Sequence, residues 1–346
     1  MGVYDSNFDF RLAIQADTNN IMDYLRDNLG ERHILANDKS FFLWQYGNAE
    51  YADMENLNIV LMSDKGSGEI KGLNGFIRYS NDKDRMYVSS AITQISKDIT
   101  IPLTGVELIK KFHALVPARA YFSSGTNPKT MLPIGKRVFG YKTGVMQQYY
   151  ILNPQVDDFL VADIHKKIKL THKAGRFNFK EISDLEELEG SFDFGKDHER
   201  LPYKSLDFLR KRYVKHPKYI YRIWALTDSS ENVYGLLFGR EITINGRIIL
   251  RLVDYRGKLE YLGEIGEALN QLFIKENYEY IDLMASDLDT DVMSRSGFML
   301  LNADGEDVVP NYFEPFVREN VRVHYQKSQD IVIFKADGDQ DRPNVW

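Results

Sequence analysis

Apolar and polar positions along the chain form short blocks whose period switches between two and about 3.6, the pattern of interleaved strands and helices. The first block is the apolar run Phe8–Ile14. Residues 19–29 follow at helical spacing, with Ile21, Met22, Leu25 and Leu29 on one face and Asp17 or Thr18 as cap. The segment SFFLWQYGN leads to a strand, LNIVLMSD, then the turn KGSGE, then the strand IKGLNGFIRY. That spacing predicts a hairpin with Gly66 and Gly68 at its tip. MYVSSAITQISKD reads as a further strand. A helix over 105–116, the short strand ARAYFSSG, a helical stretch ending at Gly140-Tyr141 and the strand VMQQYYIL close the first half.

The second half repeats the order. FNFKEIS and SLDFLRKRYVKHP precede the strand YIYRIWALTD, the turn SSEN and the strand VYGLLFGREI. RIILRLVDY, a helix over 263–276, YEYIDLMAS, a short helix ending at Ser296-Gly297-Phe298 and a late strand over 330–336 follow. Phe42-Leu43 answers Phe208-Leu209, Gly72 answers Gly235, and Gly140-Tyr141 answers Gly297-Phe298, at offsets of 166, 163 and 157 residues. Matched landmarks in order predict a duplicated α+β unit. The expected division is 1–152, a linker over 153–176 containing the basic run HKKIKLTHKAGR, and 177–346.

Composition narrows the classes. A length of 346 residues suits two domains. A net charge of −6 argues against a chain-wide nucleic-acid footprint. The absence of cysteine excludes disulfides, thiolate metal sites and a Cys nucleophile. No apolar stretch is long enough to span a bilayer, and the N-terminus lacks a secretory pattern, so a cytoplasmic protein is expected.

This order of elements in each half resembles the Gcn5-related N-acetyltransferase (GNAT) fold, a mixed, mostly antiparallel sheet flanked by helices. The strings RLVDYRG (251–257), PNYFEPF (310–316) and FKADGDQDRPN (334–344) resemble tandem GNAT-like proteins of bacterial surface-polysaccharide gene clusters. The resemblance implies N-acyl transfer from acyl-CoA, as co-substrate, to an amino sugar or sugar nucleotide. It leaves open a FemABX-like aminoacyl transferase, another non-CoA transferase, or a non-catalytic binding protein of the same pathway.

The resemblance also implies where the chemistry sits. The family binds pyrophosphate at a helix N-terminus, where N–H groups and the dipole attract anions. In the first half only Gly105 matches that loop. There Thr104 and Glu107 have the spacing of a capping box that would compete for the same N–H groups. In the second half Arg256, Gly257 and Lys258 are the candidate anion contacts. Asp254 stands where the family places a general base for the acceptor amine. The family's acidic Tyr is absent, its places being taken by Lys136 and Met293.

Candidate acceptor contacts are His33, after the first helix, Asn311, Tyr312 and Glu314 in PNYFEPF, and Asp337, Asp339, Asp341 and Arg342 in the tail. The carboxylates suit an ammonium or hydroxyls, and Arg342 suits a carboxylate or phosphate. The alternating Asp residues lack the Gly and Glu of a calcium loop, and no two of the seven histidines have helical zinc spacing, so no metal is expected. Dinucleotide, P-loop and nucleophile-elbow motifs are absent.

Overall fold

A computed structural model describes residues 3–165, 167–168 and 175–345. Strand β1 (Phe8–Ile14) leads to helix α1 (Thr18–Leu29), which buries Ile21, Met22 and Leu25 and stops at Gly30, whose φ of 103° no other residue adopts easily. Two short helices follow, α2 (Ile34–Asn37) and α3 (Lys39–Tyr46). Next come β2 (Asp53–Asp64), β3 (Ile70–Arg78), β4 (Tyr87–Ile95), α4 (Thr104–Leu115), β5 (Ala120–Ser124), α5 (Met131–Val138) and β6 (Lys142–Val145). The β2–β3 turn forms as expected, its tip held by Asp64 accepting from the Gly66 and Ser67 amides.

The second series starts with β7 (Gln147–Leu152) and β8 (Asn178–Ile182). The segment 205–217 forms a short helix, Leu206–Leu209, continued by a wider turn through Val214. Then come β9 (Arg222–Thr227), β10 (Val233–Ile244), β11 (Arg247–Gly257), α6 (Gly266–Glu276), β12 (Tyr280–Ala285), α7 (Thr290–Arg295), β13 (Met299–Leu300) and β14 (His324–Lys327). Asn245-Gly246, both at positive φ, make the tight β10–β11 turn.

The strands form two mixed sheets flanked by helices, the expected α+β class. The first runs β1-β2-β3-β4-β5-β14-β6, and the second β13-β7-β12-β11-β10-β9-β8. The sheets do not divide the chain at one point. β7, expected to close the first half, instead pairs antiparallel with β12, and Tyr149 and Ile151 enter the second core. Its place in the first sheet is taken by β14, from the far end of the chain, between β5 and β6. One core accordingly mixes both halves, joining Tyr79 and Phe122 to Phe208, Ile223 and Ile333. The late strand expected over 330–336 is absent: that apolar segment is buried as an irregular tail. Of the basic run in 153–176, residues 166 and 169–174, including His172, lie outside the described residues.

Candidate functional site

Each sheet contains one parallel pair that parts after three residues. In the first, β4 and β5 pair only at Tyr87–Ser89 and Ala120–Phe122. Immediately beyond, Ala91 bulges out of the β3–β4 ladder, between Ser90 and Ile92. In the second, β11 and β12 pair at Leu250–Leu252 and Ile281–Leu283, and Val253 bulges in the same place, 162 residues later. A bulge bends its strand, so both parallel pairs open into a V.

The C-terminal tail visits both openings. In the second, it lies between the strands: the Lys335 amide donates to the Met284 carbonyl and the Ala336 amide to the Val253 carbonyl. Phe334 bridges to Ala285. In the first, only its turn enters. The Ser124 hydroxyl donates to the Asp337 carbonyl, and the Gly338 amide donates to the Tyr79 hydroxyl. Gly338 has φ of 94°, and a Cβ there would come within 2.8 Å of Ser89 Oγ. Beyond Ser89 no strand among the described residues neighbours the open side of β4, and residues 90–95 are half-buried. The tail then runs to α2, where the Asn344 carbonyl accepts from the Ile34 amide and Val345 bridges to His33.

Where the tail crosses between the openings lies a wholly buried charged cluster. Lys204 Nζ sits 2.5 Å from Asp254 Oδ1 and 2.8 Å from Asp337 Oδ1. The Tyr213 hydroxyl donates to Asp254 Oδ2 at 2.6 Å, and the Tyr255 amide to Oδ1. Burial, and secondarily the neighbouring Asp254, raise the Asp337 pKa, against the pull of Lys204.

Past this cluster the tail walls a polar recess. Its inner end is a cavity of about 20 Å³ lined by Tyr219, Arg240, Arg251, Glu314, Asp341 and Arg342, among others. Its outer part, about 300 Å³, lies against the loop Gly125–Pro128 that follows β5. Asn311, Tyr312, Lys335 and Gln340 line both. Gly125 is required there, because φ is 72° and a Cβ would strike the Gln340 amide. The Arg240 guanidinium lies 3.9 Å from the Tyr219 ring centroid and bonds Asp341 at 2.9 Å. Burial disfavours ionised Asp341, but Arg240 and Arg212 outweigh it and hold the carboxyl well below its usual range. Arg251 is gripped by Asp282 and by the Asn311 carbonyl. Lys335 is 4% exposed. Among the described residues its Nζ has no hydrogen-bond or ion-pair partner. Burial, reinforced by Arg251, lowers its pKa to about 7.

The residues singled out from sequence therefore separate. Asn311, Tyr312, Glu314, Asp341 and Arg342 converge on the recess. Asp339 joins them only through Arg342, at 3.2 Å. His33 lies further along the tail, its pKa lowered to about 4 by burial and then by Arg342. Asp337 belongs to the buried cluster.

Two expectations are corrected. Asp254 is sealed, with both oxygens bonded, so here it clamps the tail and faces no acceptor. Arg256 is equally buried and donates to the carbonyls of Lys196, Phe194 and Pro202, so it presents no anion contact. Gly257 is dictated by packing: a Cβ would lie 2.4 Å from the Tyr255 hydroxyl. Lys258 is exposed and lines a separate surface pocket of about 400 Å³ with Lys196 and Arg200. Gly105 lies in the first turn of α4. The capping box expected beside it does not form, because Thr104 Oγ1 donates to the Ile101 carbonyl and α4 has no side-chain cap.

Lys335, Lys204, Arg240 and Arg251 were missed. A lone cation in the apolar run IVIFKA was a readable signal for Lys335, since burying an amine needs a reason. Among the described residues no cluster of His, Asp and Glu could hold a metal, and no helix is long and apolar enough to cross a membrane.

No family model matches the sequence, and no curated protein matches it. Solved structures do. A Gcn5-related N-acetyltransferase from Anabaena variabilis superposes with a TM-score of 0.56 at 8% identity, over 92% of this chain and 72% of that one. The protein has the GNAT fold. A conserved protein of unknown function from Enterococcus faecalis, described as a probable N-acyltransferase, gives the same TM-score at 9% identity and the same coverages.

Proposed function

We propose that the protein is an N-acyltransferase that moves an acyl group from acyl-CoA to the amine of an amino sugar, free or nucleotide-linked. The observation that carries this reading is the unequal filling of the two openings. In the second, tail backbone occupies the space between the strands. In the first, the β4 edge beyond Ser89 is left for a ligand. An extended donor arm can pair with that edge as an added strand. Helix α4 follows directly, and Gly105 in its first turn lets a pyrophosphate approach N–H groups that no side chain caps.

The recess, beyond the Gly125 loop, takes the acceptor. Glu314, hydrogen-bonded by Tyr219, and the amide of Asn311 offer partners for ammonium and hydroxyl groups. The neutral amine attacks the thioester carbonyl, an amide bond forms, and CoA leaves as its thiol. The assignment to surface polysaccharide rests on the resemblance of the C-terminal strings.

Calorimetric titration with acetyl-CoA tests the reading. Saturable binding at one site per chain is expected. Gly105→Asp, which sets a carboxylate against the pyrophosphate, should weaken it about tenfold while leaving the fold intact, since Asp is favourable in a first helical turn. Absence of binding at millimolar acetyl-CoA rejects the donor.

A further inference from the structure

With Lys335 protonated, the recess holds more positive charge than its own residues balance. Facing it or packed against it are Arg212, Arg240, Arg251 and Lys335, from the 205–217 segment, β10, β11 and the tail. The carboxylates that meet them are Asp341, Asp282 and Glu314, while Arg212 donates to the Asp341 backbone carbonyl. Arg342 is matched by Asp339, and Arg322 at the outer rim by Asp304. One cation is left over. The geometry identifies it as Lys335, since each of the three arginines has a protein acceptor and Lys335 Nζ has none. An amine left without a partner on the wall of a cavity is costly and matches a bound anionic group.

We propose that the acceptor carries a carboxylate as well as an amine, and that Lys335 forms the ion pair with that carboxylate. Charge chooses the carboxylate over a phosphate. One unmatched cation neutralises one negative charge, whereas a phosphate dianion would leave a second uncompensated. The outer 300 Å³ is at the lower end of small-ligand sites and suits a sugar ring. The ligand class is thus an acidic amino sugar. The amine is taken from the acyltransferase reading; the carboxylate is not.

Because Lys335 is largely uncharged above neutrality, ion pairing must draw a proton from solvent. Calorimetry at pH 8 on the full chain, in buffers of different ionisation enthalpy, measures that uptake directly. The probes are 2-amino-2-deoxyglucuronate, glucosamine and glucosamine 6-phosphate. The expected result is at least tenfold tighter binding of the aminouronate than of glucosamine, with uptake approaching one proton, and weaker binding as pH rises from 7 to 9. Lys335→Met should abolish both the preference and the uptake. Equal binding of aminouronate and glucosamine overturns the proposal. So does an unchanged aminouronate preference in Lys335→Met. Tighter binding of the phosphate overturns the carboxylate in favour of a phosphorylated sugar. Acetyl-CoA titration, run separately, reports on the donor whatever these probes do.

Discussion

The two strand openings start from the same device and end differently. Both contain a three-residue parallel pair and a bulge, at Ala91 and at Val253. The second is filled by tail backbone bonded to both of its strands; the first receives only the turn at Gly338. The same device thus gives two grooves, one filled by tail backbone and one left open along β4. The two buried lysines follow the same division. Lys204 is matched by two carboxylates and secures the tail, while Lys335 is matched by none and faces the recess.

Exchanging the roles of those lysines gives the largest expected effect. Lys204→Met leaves Asp254 and Asp337 together without a cation, at a cost of about 3–5 kcal/mol. Lys335→Met removes an unpaired amine and should cost under about 1 kcal/mol or stabilise, as an apolar group suits such a site. Urea unfolding of both variants checks the contrast, and similar losses would erase the distinction.

Next comes the turn in the first opening. Gly338→Val forces a side chain into positive φ and against Ser89 and Ser124. The expected loss is about 1–3 kcal/mol, read from the same unfolding curves. A neutral result would mean that the turn is not seated between the strands.

The smallest effect is acid sensitivity at the junction of β12 and the exchanged strand. Asp287 holds Lys327, Lys142 and the Tyr325 hydroxyl. Burial works against its ionised form, but these partners prevail and bring its pKa to about 2. A folded pKa below the unfolded one stabilises above the ordinary Asp range and is lost as pH falls through it, here from about 5 to 2. Asp287→Asn should flatten the stability profile in that window and change little in slope above it. An unaltered acid limb would remove Asp287 from the account.

Much of this was legible in the chain. Phe42 and Phe208, Gly72 and Gly235 suggested a repeat from the sequence, and the bulges at Ala91 and Val253 lie 162 residues apart. Periodicity also placed β4, α4 and β5 within a few residues. It could not say which sheet a strand joins. VMQQYYIL reads as a strand in either sheet, and only the position of Tyr325–Lys327 between β5 and β6 decides the matter. The apolar run IVIFKA looked like a strand because burial and strand pairing give the same pattern when a segment fills a gap. Asp254 and Arg256 had the right residue types at a strand end, but a linear reading could not show Lys204 and three carbonyls closing over them.

The strand exchange bears on how the polypeptide is made. The strand that completes the first sheet leaves the ribosome some 180 residues after β6, and at about 5–20 residues per second that is a wait of roughly 10–40 s. Throughout it the edges of β5 and β6 lack their partner, and for most of it β7 lacks β12. The first sheet cannot close during synthesis of its own half, so the nascent chain carries exposed β edges until residue 327 has been made.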